Sequence, residues 1–158
     1  MPAVIGRTTQ ENITALPTDV YPLFSDSYSK IIVAEIEGTN QMSVLSGGGS
    51  TPAQAYALMM QYVNEVLNQD PRTCVMVYTM ISIDPSYVTN ANRVAYNNLL
   101  LATPQTSRFK IVDITGTPAF NNALAYQDGT YYLADGVHLT PAGYLLLGDL
   151  GKPVALSF

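Results

Sequence analysis

The sequence is poor in the residues that build disulfides and metal centres. Its 158 residues include one cysteine and one histidine, so no internal disulfide can form and no cluster of Cys and His ligands is available to a metal ion. We therefore expect no metal and no cofactor. The single cysteine, Cys74, stands in an apolar run and is expected to be a small buried hydrophobe.

Positive charge and long apolar runs are scarce as well. Seven Lys and Arg against twelve Asp and Glu give a net charge of -5 and a pI near 4.5, which argues against nucleic acid as a partner because such surfaces need clustered basic side chains. No apolar run approaches the roughly 18 to 20 residues of a membrane span. The N-terminus lacks the basic-then-apolar layout of a secretory signal. We expect a soluble mature chain and leave its compartment open.

The sequence does contain an alternation of short apolar strands and amphipathic helices. A hydrophobic content of 47% over 158 residues suits one globular domain spanning residues 1–158. The patterns predict strands at residues 30–36, 73–83 and 109–114, and helices at residues 11–23, 53–67 and 87–101. This alternation predicts an α/β fold with a parallel sheet and helices on both faces, in which ligands bind beyond the carboxyl ends of the strands.

The only histidine, His138, follows Asp135 by three residues. At this spacing the carboxylate can hold the imidazole in one tautomer and leave the other nitrogen free as a general base near neutral pH. Thr140 is a good N-cap and Pro141 suits the first position of a helix, so the pair is expected on a loop that leads into a helix. A bare Asp-x-x-His pattern is also compatible with a histidine in an ordinary turn.

The ten residues Asp-Gly-Val-His-Leu-Thr-Pro-Ala-Gly-Tyr, 135–144, resemble the C-terminal signature of the GDSL-type, or SGNH, hydrolases. This family comprises esterases, lipases and carbohydrate deacetylases. The resemblance implies a three-layer α/β/α flavodoxin-like fold. It also implies that Asp135 and His138 complete a Ser-His-Asp triad, with His138 as the general base and Asp135 as the group that orients it.

Two upstream segments are similar to family segments in the expected order. The residues Val-Ile-Gly-Arg-Thr-Thr, 4–9, are similar to the strand and turn that give a backbone N–H to the oxyanion hole, with Gly6 at the matching position. Gly38-Thr39-Asn40 resembles the family's G-x-N segment, which implies that the Asn40 side-chain amide is a second oxyanion donor. The family often carries Asp after this Asn, and this chain has Gln41.

The family's first segment, a strand that runs into Gly-Asp-Ser with the nucleophile, has no counterpart before the Gly6 turn. Three interpretations stay open. The nucleophile belongs to a missing or separate piece, or the C-terminal residues 152–158 form the first strand, or the chain is a catalytically inactive relative used for binding or assembly. In the last case the 11 tyrosines could serve an interface.

The second interpretation makes Ser157 the candidate nucleophile. Residues 152–158 read as a short apolar strand that ends in serine, and such a strand could fill the vacant slot within the chain or by exchange with a neighbouring copy. Ser46 and Ser50 are local alternatives, because they lie close to Asn40 in the Gly-rich loop, residues 46–52.

The sequence therefore predicts a serine esterase or deacetylase that hydrolyses a small acyl group from an ester, for example on an acetylated carbohydrate. The alternative is a binding or assembly module on the same fold. The expected partners are the small ester or acetylated carbohydrate, and a homo-oligomer or strand exchange that completes the sheet.

Overall fold

The computed structural model describes residues 6–158 and shows an α/β protein. The strands are β1 (Ile31–Glu35), β2 (Thr73–Tyr78) and β3 (Phe109–Val112). The α-helices are α1 (Thr9–Ala15), α2 (Thr39–Met42), α3 (Pro52–Gln69), α4 (Asn90–Leu101), α5 (Pro118–Asn121) and α6 (Pro141–Leu156). A π-helical turn (Leu16–Val20) and short 3₁₀ turns (Tyr21–Leu23, Val44–Ser46 and Ala125–Gln127) connect them.

The sheet is parallel, with the strand order β1-β2-β3. All six positions of the central strand β2 are buried, as expected for a strand covered on both faces. In the register, Val33 of β1 lies opposite Val75 and Glu35 lies opposite Val77. Because the strands are parallel, their carboxyl ends meet at one end of the sheet, and Asn40 follows the carboxyl end of β1.

Helices cover the two faces of the sheet. On one face α3 packs on β2 and is flanked by α1 and α4. Its inward side is the apolar row Ala55, Met59, Tyr62, Val63 and Val66. On the other face α6 packs on β3 and β2. The predicted three-layer α/β/α architecture is confirmed.

The predicted C-terminal strand at residues 152–158 is wrong. These residues continue α6 to Leu156, although the helix contains Pro153. Sequence patterns treat an internal proline as a break because it removes a hydrogen bond and crowds the preceding turn, but here tertiary contacts outweigh that cost. Gly151 packs directly against the Tyr78 ring, and the Lys110 ammonium binds the Ser157 backbone carbonyl.

Several predicted elements differ in their ends. The predicted helix over residues 11–23 is α1 followed by the π-helical and 3₁₀ turns, and the strand predicted to residue 83 pairs only to Tyr78. Cys74 is buried, as expected. The predicted strand at Val4 and Ile5 lies outside the described residues, and the single-domain assignment stays a prediction. Within residues 6–158 no helix is both long and apolar enough to cross a membrane.

Candidate active site

Asp135 and His138 form a hydrogen-bonded pair on the loop before α6. The His138 Nδ1 atom lies 2.8 Å from Asp135 Oδ2. Because an ionised carboxylate only accepts hydrogen bonds, Nδ1 carries the proton and donates it, which leaves Nε2 as a free base. Nε2 has no hydrogen-bond partner in the described part of the chain. Both side chains are open to solvent, with exposed fractions of 53% for His138 and 42% for Asp135.

The loop is held in shape by its own backbone. Asp135 Oδ1 accepts the backbone N–H groups of Val137 and His138, each at 2.9 Å. Gly136 has a φ of 65°, and an added Cβ would lie 2.8 Å from Tyr126 Cδ2, so only glycine fits this turn without strain. The Thr140 hydroxyl caps α6 by accepting the Gly143 N–H, as the sequence predicts.

The hydrogen bonds to Asp135 also fix its charge. Partial burial by itself would raise the pKa of this carboxyl, but the backbone N–H groups of His138 and Val137, then the His138 ring, outweigh burial and lower the pKa to about 2. The group that orients His138 is therefore ionised throughout the neutral range.

Asn40 and Gly6 line the same cavity as His138. This cavity has a volume of about 300 Å³. It is lined by Gly6, Ile36, Glu37, Thr39, Asn40, Ser46, Tyr87, Asp135, Val137 and His138. Asn40 lies in α2, and its Nδ2 atom donates to the Arg7 carbonyl at 3.0 Å, which leaves the second N–H of the amide for a ligand. Gly6 is an exposed turn residue with a φ of 86°.

Gln41 replaces the Asp that often follows this Asn in the resembled family, and it has a clear structural role. Its side chain is 6% exposed. Its Oε1 atom accepts the Gln10 N–H at 3.2 Å, and its Nε2 atom donates to the Ser50 hydroxyl at 2.7 Å. Gln41 thus ties α1 and the Gly-rich loop to the turn that carries Asn40.

Ser157 does not belong to this site. It is the C-cap of α6, where its hydroxyl donates to the Val154 carbonyl and accepts from Lys110 Nζ. His138 lies just before the first turn of α6, and a helix of 16 residues is about 24 Å long. Ser157 therefore lies at the opposite end of the sheet, and the assignment of this serine as the nucleophile is wrong.

Ser46 is the serine that shares the larger cavity with His138 and Asn40. It ends the 3₁₀ turn Val44–Ser46 in the Gly-rich loop and is half-buried. The Ser50 hydroxyl, in contrast, is bound to Gln41. The sequence left these two serines as equal alternatives, and their surroundings distinguish them.

Sequence reasoning missed Glu37, which lines the larger cavity and a smaller one of about 120 Å³ beside His138. Burial and, to a smaller extent, the charge of the neighbouring Glu35 raise the pKa of Glu37 to about 7, against the hydrogen bonds from Gly38 and Asn12. Burial likewise raises the pKa of Glu35 to about 7. The signal in the sequence was two carboxylates at alternate positions at the end of an apolar strand.

The smaller cavity is mainly apolar. It is lined by Ile36, Glu37, Thr39, Met80, Ile81, Ile83, Val137, His138, Leu139, Tyr144 and Leu147.

No group of three or more His, Cys, Asp or Glu side chains within residues 6–158 is arranged to hold a metal ion.

Together, the parallel sheet and the helices on both of its faces match the fold of the SGNH, or GDSL-like, hydrolases. No protein-family model matches the chain. The comparison with curated proteins gives no match either. The similarity is therefore one of structure.

Three solved hydrolases share this fold. The chain is similar to a GDSL-like lipase from Bacteroides thetaiotaomicron, with a TM-score of 0.71 and 16% identity over 94% of this chain and 71% of that one. It is similar to a carbohydrate esterase of family 3 from Talaromyces cellulolyticus, with a TM-score of 0.63 and 18% identity over 96% of this chain and 69% of that one. It is also similar to a lipase/acylhydrolase from Enterococcus faecalis, with a TM-score of 0.60 and 18% identity over 92% of this chain and 68% of that one. At these identities the likeness establishes the fold alone.

Proposed function

We propose that this chain is a carboxylic-ester hydrolase that removes a small acyl group through an acyl-enzyme. The observation that carries the proposal is the Asp135–His138 pair, with 2.8 Å between Oδ2 and Nδ1 and a free Nε2 at the wall of a cavity. An ionised Asp keeps the proton on Nδ1, so Nε2 can take a proton from a nucleophile.

The nucleophile in this proposal is Ser46, because it is the serine that lines the cavity of His138. His138 Nε2 takes the Ser46 proton while Oγ bonds to the ester carbonyl carbon. The oxyanion that forms accepts hydrogen bonds from the Asn40 amide and the Gly6 N–H. The C–O bond to the alcohol then breaks, and the alcohol leaves with the proton held by His138. Water repeats the sequence and releases the acid.

The smaller cavity supports a short acyl group. It has a volume of about 120 Å³, borders His138, and is lined mainly by Ile, Leu, Met and Val side chains. A mainly apolar pocket of this size accepts a chain of a few carbons. One of the similar structures is a carbohydrate esterase, so acetylated carbohydrate is the substrate class to test after simple esters.

The first test is the hydrolysis of a short-chain aryl ester by the parent chain and by His138→Ala, prepared identically. The proposal expects turnover in the parent and loss of at least about 10³-fold in the variant. Turnover that persists in His138→Ala, or none in a folded parent, would contradict it.

The nucleophile is tested separately with an alkyl fluorophosphonate, which labels activated serines. We expect the label on Ser46, its loss in Ser46→Ala, and its retention in Ser50→Ala, a matched change in the same loop. Labelling at another serine would overturn the assignment of Ser46. Turnover without any labelled serine would contradict the proposal of an acyl-enzyme on serine.

A second candidate function, a binding or assembly module, is favoured by the outer edge of β1. Within residues 6–158 no strand pairs with that edge. Ile32 and Ile36 on the α6 side of the strand are 39% and 37% exposed, because α6 covers β2 and β3 instead. Unpaired apolar edges are sites of strand addition, so the predicted homo-oligomer stays a proposal that uses this edge.

Self-association decides this alternative. The assembly function expects a concentration-dependent dimer in sedimentation that Ile32→Lys abolishes, since a charged side chain blocks edge pairing. Leu101→Lys is the matched control, because Leu101 is 40% exposed on α4. A parent that stays monomeric at all concentrations argues against assembly between copies through β1.

A further inference from the structure

Two glutamates lie under the turn that carries Asn40. Glu35 ends β1 and Glu37 follows two residues later. Both are half-buried, and Glu37 also lines both cavities beside His138. Ionisation of a carboxyl group at such a position costs free energy unless the group is paired or hydrogen-bonded.

Glu37 holds the start of the turn directly. Its Oε2 atom accepts the Gly38 N–H at 3.2 Å, and its Oε1 atom accepts from Asn12 Nδ2 of α1 at 3.3 Å. Gly38 is the N-cap of α2, the helix that contains Asn40. The carboxylate therefore connects α1 to the first turn of α2, the turn that contains Asn40.

No cation neutralises the two carboxyls. Among residues 6–158 the ion pairs join Arg7 to Asp19, Arg72 to Asp26 and Asp70, and His138 to Asp135. The groups near the glutamates are Asn12 from α1, Tyr62 from α3 and Tyr96 from α4. The titratable side chains that share the two cavities with Glu37 are Tyr87, Asp135, His138 and Tyr144. Without a nearby positive charge, the negative charge of one carboxylate opposes ionisation of the other.

The charges of Glu35 and Glu37 also affect the pKa values of two nearby tyrosines, Tyr62 and Tyr96. Burial, followed by the negative charges of Glu35 and Glu37, raises the pKa of Tyr62, whose pKa Tyr21 also raises slightly. The pKa of Tyr96 is raised by burial, then by Glu37 and Glu35. The Tyr96 hydroxyl is buried without a hydrogen-bond partner in the described residues. The glutamates and tyrosines thus form one electrostatic unit on the α3 side of β1.

We propose that Glu37, which joins Asn12 of α1 to the Gly38 N-cap of α2, is a positioning residue for Asn40, and that the charge of Glu35, two residues earlier at the end of β1, acts on Glu37. The ionised Glu37 accepts both N–H groups and holds the Gly38–Asn40 turn in the geometry that the oxyanion hole needs. The protonated form has one oxygen that is a donor, and it faces a donor on either side, so it releases one of the two contacts. This inference rests on the function proposed above for Asn40.

The coupling is tested by NMR on the unliganded protein, which needs no turnover. The carboxyl carbon of Glu37 in ¹³C-Glu-labelled protein is expected to titrate with a midpoint of about 7. The Gly38 amide and the Asn40 side-chain amide are expected to follow the same midpoint. In Glu35→Gln that midpoint falls by about one pH unit, because a neighbouring charge is removed. Glu65→Gln, an equivalent change on α3, leaves it in place.

Either of two NMR results overturns the proposal: Asn40 signals that do not follow Glu37, or a Glu37 midpoint that is unchanged in Glu35→Gln. Kinetics give the second readout. Glu37→Gln presents an amide N–H to one of the two donors, so kcat for the aryl ester is expected to fall about tenfold while KM stays within about twofold. An unchanged kcat also overturns the proposal.

The proposed esterase activity and the proposed role of Glu37 are tested by different measurements. A folded parent without turnover removes the proposed esterase, while the NMR titration still decides whether Glu35 and Glu37 control the turn. If Glu37→Gln fails to fold, the titration in Glu35→Gln remains decisive.

Discussion

Two carboxylates anchor the two halves of the candidate site in a similar way, yet their pKa values move in opposite directions. Asp135 accepts two backbone N–H groups and the His138 ring, and its pKa falls to about 2. Glu37 accepts one backbone N–H and an amide N–H, and its pKa rises to about 7. Hydrogen bonding alone therefore does not decide the charge of an anchoring carboxylate.

Solvent and neighbouring charge make the difference. The Asp135 side chain is 42% exposed and contacts an imidazole, whereas Glu37 is half-buried and lies near a second carboxyl group. The base half of the site keeps its charge at neutral pH. The oxyanion half is held by a group that titrates there.

The backbone repeats this contrast. The loop of Asp135 is tied to distant residues, since Gly136 accepts the Asp84 N–H and Thr140 donates to the Tyr131 carbonyl. In the Gly-rich loop the Ser43 carbonyl accepts N–H groups from Ser46, Gly48 and Gly49, so most of its bonds are local. Local bonds constrain a loop less than bonds to separate elements.

The largest expected effect comes from changing the Asp135 anchor. In Asp135→Asn the remaining oxygen can still accept the backbone N–H groups, but the amide N–H faces His138 Nδ1 and moves the ring proton to Nε2. We expect kcat for an aryl ester to fall roughly 10³- to 10⁴-fold. The free energy of unfolding, measured in urea, should change little.

The tautomer separates this mechanism from simple damage to the loop. In ¹⁵N NMR of the His138 ring, the parent should carry its proton on Nδ1 and the variant on Nε2. An Asp135→Asn protein with the parent's tautomer and rate would remove Asp135 from the mechanism.

The next effect is on stability and uses the Glu37 anchor. Glu35 and Glu37 have pKa values raised from 4.5 to about 7 in the folded chain, so the folded state binds their protons more tightly than the unfolded state. Their contribution to stability is present in full below pH 4.5 and is lost as the pH rises through about 7. One such shift corresponds to on the order of 3 kcal/mol.

Urea unfolding at pH 5 and pH 8 measures this loss. The double variant Glu35→Gln/Glu37→Gln should show a much weaker decrease over that range, and Glu65→Gln should keep it. A parent that is equally stable at both pH values would mean that the pair is solvated and not shifted.

A smaller effect is expected from Gly136→Ala. The φ of 65° disfavours alanine, and the added Cβ would meet Tyr126 and Asp84, so we expect a loss of about 2 kcal/mol in urea unfolding. Gly116→Ala is the matched control, because its Cβ would meet no atom within 4 Å. Equal losses in the two variants would show that the loop yields easily.

The sequence predicted the parts of the fold whose signals are local. Thr140 is the N-cap of α6, as predicted, and the apolar run around Val75 is a buried strand. The C-terminal prediction failed because α6 contains Pro153 and is stabilised by packing on β2 and β3. Such contacts join residues far apart in sequence and leave no local pattern.

The site shows the same division. The spacing of Asp135 and His138 predicted their hydrogen bond, because three residues span one turn. Glu37 was missed because its role depends on Asn12, which lies on another element. Ser46 could not be separated from Ser50 until the contact between Ser50 and Gln41 was known.

The smallest expected effect belongs to Ser157→Ala. The Ser157 hydroxyl contacts Lys110 and Val154 at the exposed end of α6, a helix length away from His138, so its loss touches neither half of the site. We expect kcat for the aryl ester within about twofold of the parent and a stability change within about 0.5 kcal/mol. A Ser157→Ala protein that lost turnover or the fluorophosphonate label would mean that the end of α6 reaches a catalytic site after all, through a second copy of the chain. Measuring the variant at two protein concentrations distinguishes that case, because catalysis shared between copies weakens on dilution.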